Sequence, residues 1–250
     1  MLRKSVGKIQ WLEFELFQEI PDFTHGVFLR HGGFSEGAYS SLNVGKMSGD
    51  SLQIVEKNIQ AIRNVTGFTH LATGLQCHGT QFNEVRESAD FRFDECDGLI
   101  TQREDVGLLI KHADCQAAIF VDPVRRLLAN VHAGWRGNVA NIYQKAVQEL
   151  CKMGSRPEEI LVGISPSLGP EASEFLHYKT EFPEPFWDFQ HKPHYFDLWA
   201  ITRWQLQQCG ILPHHIEIAS ICTYSCTEDF FSYRREKLSG RHATIAGFKS

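Results

Sequence analysis

Two apolar–polar alternating runs flank Pro21-Asp22 within residues 5–30, and they predict a pair of strands joined at that turn. The segment Arg30-His31-Gly32-Gly33-Phe34-Ser35-Glu36-Gly37 breaks the pattern as a glycine-rich loop. From Asp50 the period becomes helical. Leu52, Val55, Ile59 and Ile62 share one face, Asp50 and Gln53 have capping-box spacing, and Gly67 stops the run. Residues 106–121 hold two β-rich segments, VGLLI and AAIFV, split by KHADCQ. Asp122-Pro123-Val124-Arg125 reads as a β-turn with proline second, and 126–132 return as a strand. A second helix is predicted from about Val139 to Met153, with Ile142, Tyr143, Ala146, Val147 and Leu150 on its buried face and Gly154 as its stop. Asp197 is the expected cap of a third helix ending near Gly210, and IEIASICT and HATIAGF read as late strands. Strands and helices mix throughout, with no repeat, linker or low-complexity tract. The expectation is one α+β domain spanning residues 1–250.

Composition narrows the class. Hydrophobic residues make up 42% and charged residues 22%, enough to bury a core. A net charge of −5 argues against a general nucleic-acid footprint, and no apolar run reaches the ~18 residues of a membrane helix. The start, MLRKSVGKIQWLEF, lacks the apolar stretch of a signal peptide, and the seven cysteines are odd in number and scattered. Both point to reduced thiols in the cytoplasm.

The chemistry concentrates in His112-Ala113-Asp114-Cys115 and His132-Ala133-Gly134-Trp135-Arg136-Gly137. With the turn centred between Pro123 and Val124, residue numbers facing each other across the hairpin add to 247, as those of Cys115 and His132 do. Direct cross-strand neighbours have Cβ atoms ~5 Å apart, so a thiolate and an imidazole there can share an ion. His78, in Gln76-Cys77-His78-Gly79, is the third candidate ligand. One cysteine and two histidines leave a tetrahedral ion one open position, the composition of a catalytic zinc site. The bland reading is three unrelated buried side chains.

Other motifs carry bland readings beside sharp ones. Gly134 and Gly137 flank Trp135-Arg136 before a helix, which is either an anion site or a plain loop capped by Asn138. The Arg30-His31 loop offers a cation and a titratable group, or ordinary turn chemistry. Phe230-Phe231-Ser232-Tyr233-Arg234-Arg235 reads as a stacking and phosphate platform, or as a strand with a solvated end. Cys222 and Cys226 have no second pair and read as structural.

Taken in order, Arg30-His31-Gly32-Gly33, Ser41-Leu42-Asn43-Val44-Gly45, Gln76-Cys77-His78-Gly79, Cys96-Asp97-Gly98, His112-Ala113-Asp114-Cys115, His132-Ala133-Gly134-Trp135-Arg136-Gly137 and Phe231-Ser232-Tyr233-Arg234-Arg235 resemble the laccase-domain family, also called multicopper polyphenol oxidase or YfiH-like purine nucleoside phosphorylase. The resemblance covers almost the whole chain. It implies a single-domain mixed-sheet α/β sandwich with outer helices (CNF/YfiH-like), and His78, Cys115 and His132 as zinc ligands, with copper admitted in vitro. It also implies phosphorolysis of adenosine, inosine and methylthioadenosine with deamination of adenosine, and a second role removing misincorporated serine from peptidoglycan precursors. Cys77 departs from the family's usual valine, and Glu174-Phe175-Leu176-His177-Tyr178 follows the family pattern only loosely.

The residues weigh these chemistries. A multicopper oxidase builds its trinuclear cluster from paired H-x-H motifs, and this chain has 12 histidines without one, which disfavours oxidase activity. Phosphorolysis needs an anion site, a stacking surface and charge near the ribose. Arg136, Arg30 and Arg234 are candidates for the first, and Trp135 and Tyr233 for the second. Asn43 and His31 belong to family blocks and join as substrate-binding and catalytic candidates. Deamination needs an activated water and a proton carrier, for which Asp114 and Asp97 are the candidates. A serine-removing amidase would use the same parts, and a metal-stabilised binding protein is the alternative outside enzymes. The expected partners are a small-molecule nucleoside and phosphate, with no nucleic acid and no membrane. A homodimer is admitted as the assembly.

Overall fold

The computed structural model describes residues 1–250. The chain opens with a hairpin of β1 (Leu2–Val6) and β2 (Ile9–Glu13), not with strands meeting at Pro21-Asp22. Gly7, at φ +58°, makes the two-residue turn that sequence reading passed over. Pro21-Asp22 instead leads into β3 (Phe23–Phe28). Next comes α1 (Leu52–Thr66), whose Val55 and Ile62 are fully buried and whose left-handed Gly67 ends it. The capping box is absent. Ser51 precedes the first turn without a side-chain cap, and Asp50 instead accepts from the Ser35 hydroxyl and the Asn43 amide.

The middle of the chain runs β4 (His70–Gly74), β5 (Phe82–Val85), β6 (Phe91–Phe93), β7 (Gly98–Thr101), β8 (Val106–His112), β9 (Gln116–Asp122) and β10 (Leu127–Ala133). The predicted second helix is two. After α2 (Trp135–Val139), Asn141 turns left-handed at φ +53° and its Oδ1 caps Gln144 N at 3.1 Å, starting α3 (Ile142–Lys152). Trp135 and Arg136 therefore lie inside a short helix. The chain continues through β11 (Leu161–Ile164), α4 (Tyr178–Glu181) and the small ribbon β12 (Gln190–Lys192) and β13 (Tyr195–Phe196). Asp197 caps α5 (Leu198–Gln208) through Ala200 N at 2.9 Å, as its position in the sequence predicts. The last elements are β14 (Ile216–Ile218), α6 (Tyr233–Glu236) and β15 (His242–Phe248).

These strands form a seven-stranded sheet, β1-β2-β3-β15-β8-β4-β6, and a six-stranded sheet, β14-β11-β9-β10-β7-β5. Side-chain alternation explains the layering. In β8 and β9, Leu108, Ile110, Ala117, Ile119 and Val121 point between the sheets into one core. Their neighbours Ala118 and Phe120 pack outward on Ile142, Ala146 and Leu150 of α3, while Leu109 packs outward against Ile62 of α1. Both faces of both strands are covered, which is why VGLLI and AAIFV read as continuous apolar runs. The result is the expected mixed-sheet sandwich with helices outside. No helix is long and apolar enough to cross a membrane.

The β9–β10 register differs from the predicted one. Facing residue numbers add to 249, so His132 faces Ala117 and Ala133 faces Gln116. The loop holds four residues rather than two, because Asp122 Oδ1 accepts from Val124 N and Arg125 N, each at 3.0 Å, and Arg126 turns left-handed at φ +50°. Cys115 and His132 are therefore diagonal neighbours at the strand ends. A shift of two residues keeps both on the same face, since side chains alternate with period two.

Candidate metal centre

Three segments converge where the two sheets exchange the chain. His78 lies between β4 and β5 with φ +63°, Cys115 lies between β8 and β9, and His132 is the penultimate residue of β10. Their donor atoms all lie within 4.8 Å of one another. Cys115 Sγ is 3.9 Å from His78 Nε2, and the two imidazole centroids are 4.9 Å apart.

Asp97, just before β7 and fully buried, holds this arrangement. Its Oδ1 accepts from His78 N at 3.0 Å and pairs with His132 Nδ1 at 2.8 Å. Its Oδ2 accepts from Cys77 N at 3.1 Å, Gly79 N at 2.8 Å and the Cys77 thiol at 3.0 Å. One carboxylate thus cradles the strained His78 turn and fixes the His132 ring with Nε2 toward Cys115, the carboxylate–histidine arrangement that orients a metal ligand. Burial would raise the Asp97 pKa, but the bonds from His132 and Cys77 bring it down to about 2. For Cys115, burial is outweighed by the neighbouring His132 and by hydrogen bonds from both histidines, so its pKa falls to about 6. For His132, burial is outweighed by Cys115 and Asp97, and its pKa rises to about 9. A soft thiolate and two imidazoles, one with a carboxylate behind it, are the donor set of a borderline-soft transition metal. The three residues can hold a metal ion, and they are the single convergent group of this kind in the chain.

Gly134 is part of the fit. A Cβ there would lie 2.6 Å from His78 Cδ2 and 3.2 Å from Cys115 Sγ. Gly134→Ala is expected to displace the His78 ring and lower metal affinity about tenfold or more, while a far-ultraviolet spectrum shows the fold retained. Unchanged affinity in a chelator competition would contradict the fit.

A cavity of about 720 Å³ opens from the cluster across the α1 side of the seven-stranded sheet. His78, Cys115 and His132 line it together with His112, Tyr233 and Arg241. Farther along, Lys46, Arg63, Arg92 and Lys111 face it. Its two carboxylates are committed, Glu56 to Lys46 and Asp90 to Arg63. Arg92, Lys111 and Arg241 have no carboxylate partner among the ion pairs, so the cavity is cationic.

The other sequence candidates fall into three positions. Tyr233 reaches the cavity and is half exposed. Asn43 is buried behind it, and its Oδ1 accepts from Gly45 N and Arg241 N, each at 2.8 Å, so it positions the lining rather than joining it. The rest stand outside the lining. His31 bonds Asp229 at 2.8 Å, and Arg30 donates to Ser40 O while stacking over Phe231. Trp135 packs edge-on against Phe175 and Phe182, and the Arg136 guanidinium covers its other side at 4.1 Å from the ring centroid. Arg234 donates its backbone N–H to Asp114 and its side chain to Glu174 O. Asp114, left-handed at φ +76°, turns away from the cluster to accept from the Thr223 hydroxyl at 2.8 Å as well. The local bend that its catalytic use required is present, but it aims the carboxylate elsewhere. Sequence reading missed Arg241, Lys111 and His112 as cavity residues. A lone lysine in the buried run VGLLIKH was the available signal.

Fold and centre together define a two-sheet α/β sandwich with a cysteine–dihistidine cluster that could hold a metal ion at the sheet crossing. The chain belongs to the multi-copper polyphenol oxidoreductase laccase family, whose model matches residues 24–249. It is 30% identical over 247 residues to the purine nucleoside phosphorylase of Bacteroides thetaiotaomicron, covering 90% of each chain. It is also 30% identical over 246 residues to the purine nucleoside phosphorylase LACC1 of Mus musculus, covering 92% of this chain and 56% of that longer one. The crystal structure of YlmD from Geobacillus stearothermophilus superposes with a TM-score of 0.88 at 26% identity, covering 99% of this chain and 98% of that one.

Proposed function

We propose that the protein is a zinc-dependent purine nucleoside phosphorylase acting on adenosine, inosine and methylthioadenosine. The observation that carries this reading is the cationic cavity leading from the His78–Cys115–His132 cluster past Arg241, supported by relatives named as purine nucleoside phosphorylases. Arg241 Nη1 is tied to Ser239 O and Gly240 O, at 2.8 and 2.9 Å, while Nε and Nη2 have no protein acceptor and remain for orthophosphate. Tyr233 offers its ring to the purine at the cavity mouth. His112 is buried, bonds the Thr244 hydroxyl at 2.8 Å and is kept neutral by burial, so it supports the wall of the cavity. A bound zinc ion would supply a Lewis acid at the fourth position.

The structure bears on the competing chemistries through its carboxylates. Hydrolytic deamination of adenosine, or removal of serine from a peptidoglycan precursor, needs a carboxylate free to shuttle protons beside the cluster. Asp97 is saturated by five hydrogen bonds and Asp114 faces Thr223. Phosphorolysis places its demand on the anion site instead, so deamination is the secondary activity. Incubation of metal-loaded protein with adenosine and phosphate should yield adenine and ribose 1-phosphate. Inosine as the sole product would overturn the assignment.

Arg241→Gln is expected to raise the phosphate KM about 10- to 100-fold, the range of a lost charged hydrogen bond, without changing zinc content. Arg136→Ala should leave the phosphate KM within about twofold, because its guanidinium stacks on Trp135 outside the cavity. Steady-state kinetics at varied phosphate would separate the two, and the reverse pattern would return the anion site to the α2 turn.

A further inference from the structure

Lys111 is the one charged residue in β8, a strand otherwise buried along its length. Its Nζ donates to Thr73 Oγ1 at 3.0 Å and Gly74 O at 2.8 Å, both neutral acceptors. An ammonium has three donors, so one remains for the cavity. Gln76 clamps the Lys111 backbone from both sides, accepting from its N–H and donating to its carbonyl. Arg92, facing Thr73 across the β4–β6 ladder, is exposed and lines the same cavity, and its guanidinium makes no hydrogen bond or ion pair. Burial, and then the charges of Arg92 and Lys46, lower the Lys111 pKa to about 8. Like charges are thus held close with no anion between them, a strain typical of binding sites rather than of scaffolding.

The position of this pair relative to Arg241 sets the ligand class. Lys111 faces Ala243 across the β15–β8 ladder, and Arg241 lies two residues back from Ala243, about 7 Å along the strand. That backbone spacing exceeds the width of a ribose ring and is on the scale of a ribose together with its 5′-methylene and ester oxygen, the span between C1′ and a 5′-phosphorus. A cavity of about 720 Å³ also lies in the upper part of the range for small-molecule sites, with room for more than a free nucleoside.

Resting on the nucleoside reading of the cavity, we propose that Lys111 and Arg92 form a second anion subsite that takes the 5′-phosphate of a nucleoside 5′-phosphate, while Arg241 faces the orthophosphate. The shared chemistry is recognition of a phosphoryl dianion, and its source is the ligand's own ester rather than the free co-substrate.

Titration calorimetry of the metal-loaded protein with adenosine, adenosine 5′-phosphate, ribose 5-phosphate and inorganic phosphate tests this. Adenosine 5′-phosphate should bind at least about tenfold tighter than adenosine. The advantage should fall to within about threefold in Lys111→Met and in Arg92→Gln, with metal content unchanged. Arg92 is an exposed residue on an edge strand, so its variant remains informative if Lys111→Met does not fold. Equal binding of adenosine and its 5′-phosphate overturns the subsite and leaves the nucleoside reading standing. No binding of adenosine, with ribose 5-phosphate binding that depends on Arg92, keeps the subsite and removes the nucleoside reading. A loss of inorganic phosphate affinity in Arg92→Gln, with both adenosine ligands bound alike, assigns these cations to the free co-substrate and also overturns the proposal.

Discussion

Cys115→Ala protein, purified without added metal, is expected to carry less than about a tenth of the wild-type metal and to have no measurable phosphorolysis. Loss of an outer partner of a ligand commonly costs 10- to 100-fold in metal affinity, and loss of a ligand itself should exceed that. Cys115 is the only thiolate of the cluster, and its low pKa makes it an anion at neutral pH before any ion arrives. Two imidazoles would remain, one of them on an exposed turn. The fold should survive, because Cys115 precedes β9 and contributes to none of the apolar clusters. In the metal-free wild type, an ultraviolet thiolate absorbance step with a midpoint near 6 is expected, and that step should be missing from the variant. Wild-type metal content in Cys115→Ala would remove the cluster from the mechanism.

Asp97→Asn should have nearly as large an effect by a different route. The carboxylate only accepts hydrogen bonds, and all five groups around it donate. An amide of the same shape puts two N–H groups among those donors, so at least one buried donor loses its partner. The His78 turn and the His132 ring both depend on that oxygen pair, and metal affinity should fall about 10- to 100-fold. Stability should fall by about 1.5–3 kcal/mol, the cost of losing a hydrogen bond to a charged group. The acid dependence has a definite sign. The Asp97 pKa is lowered from the ordinary ~3.9 to about 2 in the fold, so its contribution is complete above about pH 4 and disappears as pH falls through about 2. Denaturation of the metal-free proteins at pH 6 and at pH 2 should show the wild-type advantage only at the higher value. An equal advantage at both would mean that the variant fails through packing.

The pair Cys115–His132 was legible although the register was not. The hairpin centre lies one residue beyond the expected one, a register shift of two, because the side chain of Asp122 organises a four-residue loop; Pro123, which cannot take the positive φ of a tight two-residue turn, is the one sign of it in Asp122-Pro123-Val124-Arg125. An even error preserves the face of a strand, whereas an odd one would have separated the two ligands. His78 is a candidate from Gln76-Cys77-His78-Gly79 alone, but only the resemblance ties it to the hairpin, because no local rule links a residue in a loop to a hairpin elsewhere. Asp97 was read as a proton carrier. Its real surroundings, three consecutive backbone N–H groups from another loop, are a tertiary fact with no local pattern. Arg136 looked like an anion ligand between two glycines, but the aromatic cluster of Phe175, Phe182 and Trp135 draws its guanidinium away from the cavity.

All three ligands sit on segments where the chain passes between the sheets or ends a strand at that crossing, far apart in sequence. An ion bound there closes two long loops at once, and the unfolded chain has no equivalent site. Its binding free energy is therefore folding free energy, and free metal becomes a thermodynamic variable of the sandwich itself. At a free-ion concentration 100 times the dissociation constant, the added stability is about 2.7 kcal/mol. With an ion bound at this cluster, the melting temperature of the chain would rise with the metal its surroundings supply.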